Sequence, residues 1–306
     1  MLQPREPQAP GASPALRRPL PCAILANPAA GRLVRDRERG RLDAVARRLD
    51  CPVFGLDTAS AGEFREAASE LSRRAEVLLV AGGDGTFTDV LNSRLGGAML
   101  GYLPFGTGNA LRCALGIGLA GRAYLDKVRR REATPVGVME VNGSRKALFA
   151  SLGVDALTVL RYAEQAAAGR TGLVGYALAF ARALAGYAPG DLRVAGAGGQ
   201  VEEVRRNLAA IVSKHPFYGY GLRVNRGRIT DSDLFFRSVS ANPLALPGVL
   251  AAAALRREPR LGFLRRGPEF TVESDADQFL QYDGEWGGVG RRFHFAARPG
   301  YVRVIL

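Results

Sequence analysis

Cysteine and histidine are scarce in this chain: three cysteines (Cys22, Cys51, Cys113) stand far apart, and there are two histidines. No Cys-x-x-Cys occurs, so no zinc site is signalled. The cysteine spacing predicts no disulfide framework, as suits a reducing cytosol. Long hydrophobic runs are also missing. The most apolar stretches, 173–185 and 245–255, are shorter than a bilayer requires, and the first contains Arg182. The apolar segment from Cys22 to Ala26 is too short for a signal-peptide core and is broken by Asn27-Pro28. Neither Gly-x-x-x-x-Gly-Lys-Ser/Thr nor a Gly-x-Gly-x-x-Gly after the first strand is present, which excludes a P-loop NTPase and weakens a dehydrogenase reading. No aromatic-basic motif supports nucleic-acid binding.

What is present is enough for two cores: 306 residues, 47% hydrophobic and 23% charged. The net charge of +13 comes almost wholly from arginine. It favours anionic partners such as phosphate ligands or an acidic membrane surface, and is equally what an arginine-rich composition alone produces. Residues 1–19 hold five prolines and few apolar side chains and are expected to form a disordered leader.

The most informative stretch is Val80-Ala81-Gly82-Gly83-Asp84-Gly85-Thr86. A short buried strand precedes it, and apolar residues at helical spacing (Phe87, Val90, Leu91, Leu95) follow it. Glycines between a strand end and a helix start let amide N–H groups face an anion. Asp84 would repel that anion unless a cation lies between them, which suggests a metal-nucleotide phosphate. Read alone, the stretch is also a tight turn with Asp as a helix cap. Similar loops recur at residues 27–31 (Asn27-Pro28-Ala29-Ala30-Gly31) and 104–109, each after a predicted strand and before a helix. The first half therefore predicts a doubly wound parallel sheet with a nucleotide crevice at the strand ends. Asn27 can bond a ribose or phosphate oxygen, Gly82, Gly83 and Gly85 supply the turn, and Thr86 and Thr107 add hydroxyls. Asn109 can cap the next helix.

From residue 134 onward short alternating runs separated by turns predict an antiparallel β-sandwich, interrupted by helical insertions near 160–188 and 244–257. Asp283 and Glu285 sit two apart, so an extended strand would place both on one face as a general base and its partner. An Asp-Gly hairpin turn is the competing reading. Asp231-Ser232-Asp233 is a further acidic pair able to coordinate magnesium.

Taken together, these motifs resemble the diacylglycerol kinase catalytic-domain family of bacterial diacylglycerol and sphingosine-kinase-like lipid kinases. Asn27-Pro28-Ala29-Ala30-Gly31 is similar to the family's Asn-Pro-x-Ser-Gly. Gly-Gly-Asp-Gly-Thr stands intact at residues 82–86, Pro-x-Gly-Thr-x-Asn at 104–109 and Asp-Gly-Glu at 283–285. The resemblance implies an α/β ATP-binding domain over 20–133, to which 293–306 returns, and a β-sandwich lipid-substrate domain over 134–292. It also implies that Asn27, Gly31, Thr58, Asp84, Gly85, Thr86 and Thr107 lie at nucleotide positions, that Asp283 and Glu285 supply the catalytic base, and that Asp231 holds structural magnesium. Departures are Ala30 for serine, Thr88-Asp89 for Asn-Glu and Asp231-Ser232 for Asp-Gly. The expected function is transfer of the γ-phosphate of ATP, with Mg²⁺ near Asp84, to a hydroxyl of a membrane lipid. The alternatives are a kinase of a soluble acceptor, as in NAD kinases, and a non-catalytic basic binding protein. A cytoplasmic location, with reversible docking on anionic lipid at the inner face of the membrane, completes the expectation; no nucleic-acid partner is expected.

Overall fold

Unbroken apolar runs, rather than alternating ones, characterise strands covered on both faces. β3 (Ala75–Gly82) and β4 (Met99–Pro104) are of this kind, with every residue but Glu76 buried. In this computed structural model they lie in a parallel array of order β2-β1-β3-β4, with β1 at Leu20–Ala26 and β2 at Val53–Phe54. Helices α1 (Asp36–Leu49), α2 (Ala61–Arg74), α3 (Asp84–Leu91), α4 (Ala110–Leu115) and α5 (Arg122–Arg130) connect or follow these strands. The structure describes residues 19–31, 33, 35–106, 108–117, 121–167, 172–241, 248, 251, 252, 255, 257 and 262–306. The expected leader, Thr107 and most of the 244–257 insertion lie outside the described residues.

Two ladder details depart from the sequence reading. The parallel register sets Ile24 opposite Val53, so Cys22 and Cys51 also come opposite one another and are joined as a disulfide. The expectation of none rested on their 29-residue separation, which parallel pairing cancels. On β4, the buried amide of Tyr102 donates to the Tyr124 hydroxyl of α5 at 2.7 Å.

The second half comprises β5 (Ala133–Val141), β6 (Arg145–Ala147), β7 (Phe149–Gly153), α6 (Val154–Ala167), α7 (Gly172–Gly186), β8 (Gly190–Gly196), β9 (Val201–Ser213), β10 (Phe217–Tyr218), β11 (Leu222–Arg223), β12 (Leu234–Ser240), β13 (Leu264–Gly267), β14 (Glu269–Tyr282) and β15 (Glu285–Ile305). Apart from the small β10–β11 ladder, the pairs among these strands join one antiparallel network. β9 and β14 each pair β8 along their first part and β7 along their last, so the sheet turns back over its own core. Alternate residues fill that core: Ala150 and Leu152, Ala210 and Val212, Phe270 and Val272, Phe293 and Phe295. The Ala- and Leu-rich insertion forms α6 and α7, which pack together over Val154, Leu157 and Ala183.

β15 unites the halves. It leaves a hairpin with β14, runs antiparallel to β5, and reaches β4 with Val304 opposite Leu100 in parallel. The return expected to begin near Phe293 is thus the far end of one 21-residue strand. Among the described residues no helix is long and apolar enough to cross a membrane.

The Tyr124 hydroxyl accepts from the amide of a fully buried strand residue. Tyr124→Phe should therefore destabilise the protein by about 0.5–1.5 kcal/mol, the usual net worth of one hydrogen bond. Urea unfolding with an unchanged midpoint would count against that role.

Candidate functional site

The carboxyl ends of β1, β3 and β4 are adjacent, and hydrogen bonds knit their three loops. Asn27 Nδ2 donates to Thr86 Oγ1 at 3.0 Å, while Asn27 Oδ1 accepts from the Ala29 amide at 2.9 Å. The Gly82 carbonyl accepts the amides of Phe105 and Gly106 at 2.9 and 3.0 Å. A Cβ on Gly106 would overlap the Gly83 Cα, so glycine at 106 lets the loops touch. Pro28 and Ala30 sit within the first loop; Ala30 is buried and Gly31 exposed.

Asp84 opens α3 yet caps α4. Its Oδ2 accepts the Ala110 amide at 2.8 Å, and its Oδ1 accepts the Leu111 amide at 3.1 Å and the Tyr102 hydroxyl at 3.3 Å. Burial pushes its pKa up, against these three donors. Asn109, expected to cap α4, does not. It adopts a left-handed conformation (φ 45°), its Nδ2 turns back to the Gly106 carbonyl, and its Oδ1 accepts from Tyr102. The helix-cap reading of Asp84 is therefore correct, but the helix capped is not its own.

Asp283 and Glu285 do not share a strand face. Asp283-Gly284 form the two-residue turn of the β14–β15 hairpin, with φ of 49° and 85°, the backbone that favours Asp-Gly. The turn projects the Asp283 carboxylate inward. Oδ2 accepts from Thr88 Oγ1 at 2.7 Å and the Leu148 amide at 3.0 Å; Oδ1 accepts the Phe149 amide at 2.9 Å. Burial is the largest influence on this acid, with the nearby Asp84 charge acting in the same direction. Together they outweigh the three donors and push its pKa up to about 7. Glu285 pairs with Arg145 at 2.8 Å, and that guanidinium lies 5.0 Å from the Tyr282 ring centroid. Burial pushes the Glu285 pKa up, with Arg145 opposing. A Cβ on Gly85 would lie 3.5 Å from Glu285 Oε1, so the hairpin rests against the glycine loop.

Asp84, Asp283 and Glu285 border one cleft of about 500 Å³, whose lining does not include Asn27, Gly82, Gly83, Gly85 or Thr86. Asp84, Gly108 and Ala110 line its first-half side, the Asp283–Trp286 hairpin lies between, and Phe149, Tyr162, Tyr176 and Tyr218 wall the second-half side. Thr58 is not part of it. Its hydroxyl donates to the Gly55 carbonyl at 2.7 Å and it lines a smaller cleft of about 220 Å³ with no lining residue in common.

Sequence reading missed several supporting residues. Thr88, noted only as a departure from Asn, holds Asp283, and Asp89 pairs with Arg65 at 3.0 Å. Behind the aromatic wall, the buried Asp155 carboxylate accepts from Tyr218 at 2.7 Å, from Gln281 Nε2 at 3.1 Å and from Ser151. Gln281 Oε1 in turn accepts the Gly284 amide at 3.0 Å, joining that wall to the hairpin. Only the Gln281-x-Asp283 spacing hinted at this link, since Asp155 and Tyr218 lie 63 residues apart.

Asp231 does not fit a magnesium site. Its Oδ2 accepts the Arg228 amide at 2.9 Å, and its main-chain carbonyl, with that of Asp233, accepts from Lys214 Nζ. Among the described residues no group of three or more His, Cys, Asp or Glu could hold a metal ion.

The raised Asp283 pKa means that the folded state favours the protonated acid. Its contribution to stability is full below the ordinary carboxylate range and is lost as pH rises through about 7. Asp283→Asn should remove that component of the pH dependence, making wild type lose stability relative to the variant between about pH 4 and 7. Parallel stability–pH curves for the two proteins would contradict the assignment.

Residues 21–141 match the family model of the diacylglycerol kinase catalytic domain. No curated protein sequence matches the chain. Among solved structures, a protein from Bacillus anthracis str. Sterne provisionally described as a diacylglycerol kinase is 19% identical with a TM-score of 0.74, covering 93% of this chain and 96% of that one. A second structure, described as a diacylglycerol kinase from the same organism, is 18% identical with a TM-score of 0.71 and equal coverage. At those identities the likeness is one of fold, and it spans both halves. Residues 21–141, with the three knitted loops, are thus similar to the diacylglycerol kinase catalytic domain, on a mixed α/β fold whose carboxy-terminal region is an antiparallel sheet.

Proposed function

We propose that the chain is an ATP-dependent kinase that phosphorylates a hydroxyl of a membrane lipid. The observation that carries this reading is the position of Asp283, between the glycine loops and the aromatic wall of a single cleft. On this reading residues 20–133 with 293–306 form the nucleotide half and 134–292 the acceptor half.

The glycine loops are suited to the phosphates of ATP, with Asn27 and Thr86 holding the first two loops in register. Magnesium bound with the ATP would offset phosphate charge, and Asp84 would be the carboxylate to hold it through Oδ2, which accepts one bond where Oδ1 accepts two. The acceptor hydroxyl lies between the loops and the aromatic wall. Asp283 Oδ1 accepts a single bond from the protein, leaving it free to take the hydroxyl proton as the oxygen attacks the γ-phosphorus, the bond to the β,γ-bridging oxygen breaks and ADP leaves. Its raised pKa suits a general base working near neutrality. Glu285, tied to Arg145, keeps the hairpin against the glycine loop. A lipid acceptor suits a cleft walled by aromatic rings, and a surface of net charge +13 suits reversible docking on anionic lipid.

Purified protein incubated with labelled ATP, Mg²⁺ and a panel of lipid and soluble acceptors should label a lipid. Labelling of a soluble acceptor alone would overturn the lipid assignment, and no transfer to any acceptor would overturn the kinase. Asp283→Asn should reduce turnover by about 10²–10⁴-fold, the usual worth of a positioned base. In the wild type, kcat/KM should rise as pH increases through about 7, because the base must be ionised, and the folded Asp283→Asn protein should lose that limb. An unaltered profile in the variant would remove Asp283 from the chemistry.

A further inference from the structure

The loop between β11 and β12 is where the family resemblance places a structural magnesium, and the side chains found there serve another arrangement. The Lys214 ammonium is fully buried and donates to the main-chain carbonyls of Asp231 and of Asp233, the latter at 3.1 Å. Main-chain carbonyl oxygens of this kind are also ligands for a divalent ion. The Asp231 carboxylate accepts the Arg228 amide at 2.9 Å, and the Asp233 carboxylate pairs with Arg266 at 2.9 Å. Lys214 Nζ also lies close against β5, since a Cβ on Gly137 would come within 3.3 Å of it. Magnesium requires near-octahedral oxygen ligands at about 2.0–2.1 Å, and an ammonium among the carbonyls leaves no such shell.

We propose that Lys214 is a tethered cation that replaces a structural metal, closing the 228–233 loop onto β9 without any bound ion. Residue choice supports this. Lysine occurs at three positions (Lys127, Lys146, Lys214) among 42 Lys and Arg residues, so arginine is the default basic side chain of this protein. A planar guanidinium presents a rigid fork, whereas an ammonium is a compact charge able to sit between carbonyl oxygens as a metal ion does. The position also gives the cation a task. The Lys214 amide donates to the Leu148 carbonyl at 2.8 Å, beside the amides that hold Asp283, and the next residue, His215, lines the cleft. Asn225 Nδ2, on the strand-to-loop connection, donates to Ser213 Oγ at 2.8 Å. One buried charge therefore anchors the loop to the strand from which the cleft wall departs.

The test is made on the full-length protein without nucleotide. Chelator-treated wild type should contain no stoichiometric divalent metal by elemental analysis. Its melting midpoint should be the same in chelator and in millimolar MgCl₂. Lys214→Met, which keeps the length and removes the charge, should lower the midpoint by about 4 °C or more, since two buried carbonyls lose their donor. Hydrogen exchange in this variant should rise at 228–234 and stay unchanged in β3. One equivalent of tightly held divalent metal, magnesium-dependent melting of the wild type, or a Lys214→Met protein melting like the wild type would each overturn the proposal. If Lys214→Met does not fold, metal content and magnesium dependence of the wild type still decide it. None of these readouts involves phosphoryl transfer, so the kinase reading and this one can fail separately.

Discussion

The carboxylate of Asp283 sits at the tip of a hairpin from the β-rich half, and everything that makes a shared cleft depends on how it is held. Thr88 on α3 supplies one donor, and the amides of Leu148 and Phe149 at the start of β7 supply two more. Because α3 begins with the glycine loop, the same bonds fix the distance between that loop and the acceptor side. A hairpin tip is ordinarily among the more mobile parts of a protein. Here its carboxylate is turned inward, and burial raises the acid to about 7 against the donors that hold it.

A second junction supports the first. The Asn92 side chain exchanges two hydrogen bonds with the Lys146 backbone, at 2.7 and 2.9 Å, at the far end of α3. α3 is therefore bound to the second half at its middle and just past its carboxyl end, and β15 crosses between the halves as one strand. Loops at adjacent strand ends are brought together by glycine contact and by one carboxylate, Asp84, capping a helix from another loop. The buried carboxylates of the site are satisfied by partners distant in sequence, and satisfied networks of this kind favour one arrangement.

Much of the first half was legible in advance. The unbroken apolar runs at β3 and β4 imply strands covered on both faces, and glycine-rich turns after them imply a crevice at their ends. The late Asp-Gly pair was legible as a hairpin, and it was the alternation rule applied to Asp283 and Glu285 that misplaced them. That rule holds only for extended residues, and both turn residues have positive φ. Asn109 misled for a related reason: composition at a helix start indicates a capper, but its left-handed backbone turns the side chain away. The disulfide, the Thr88 contact and the Asp155 cluster left little local trace, since each joins residues far apart in the chain.

By itself the sequence determined which segments are strands and helices over most of the first half, that turn-forming loops rich in glycine and small polar residues stand at three strand ends, and which family they resemble. Those are consequences of local pattern, where periodicity and turn chemistry act over a few residues. Only the tertiary structure decided which groups those loops serve. Asp84 caps α4, Asp283 is gripped by α3 and β7, and the Lys214 ammonium is bound by the Asp231 and Asp233 carbonyls. The reason is that a buried polar group must find a partner wherever folding brings one, and sequence distance does not limit that choice.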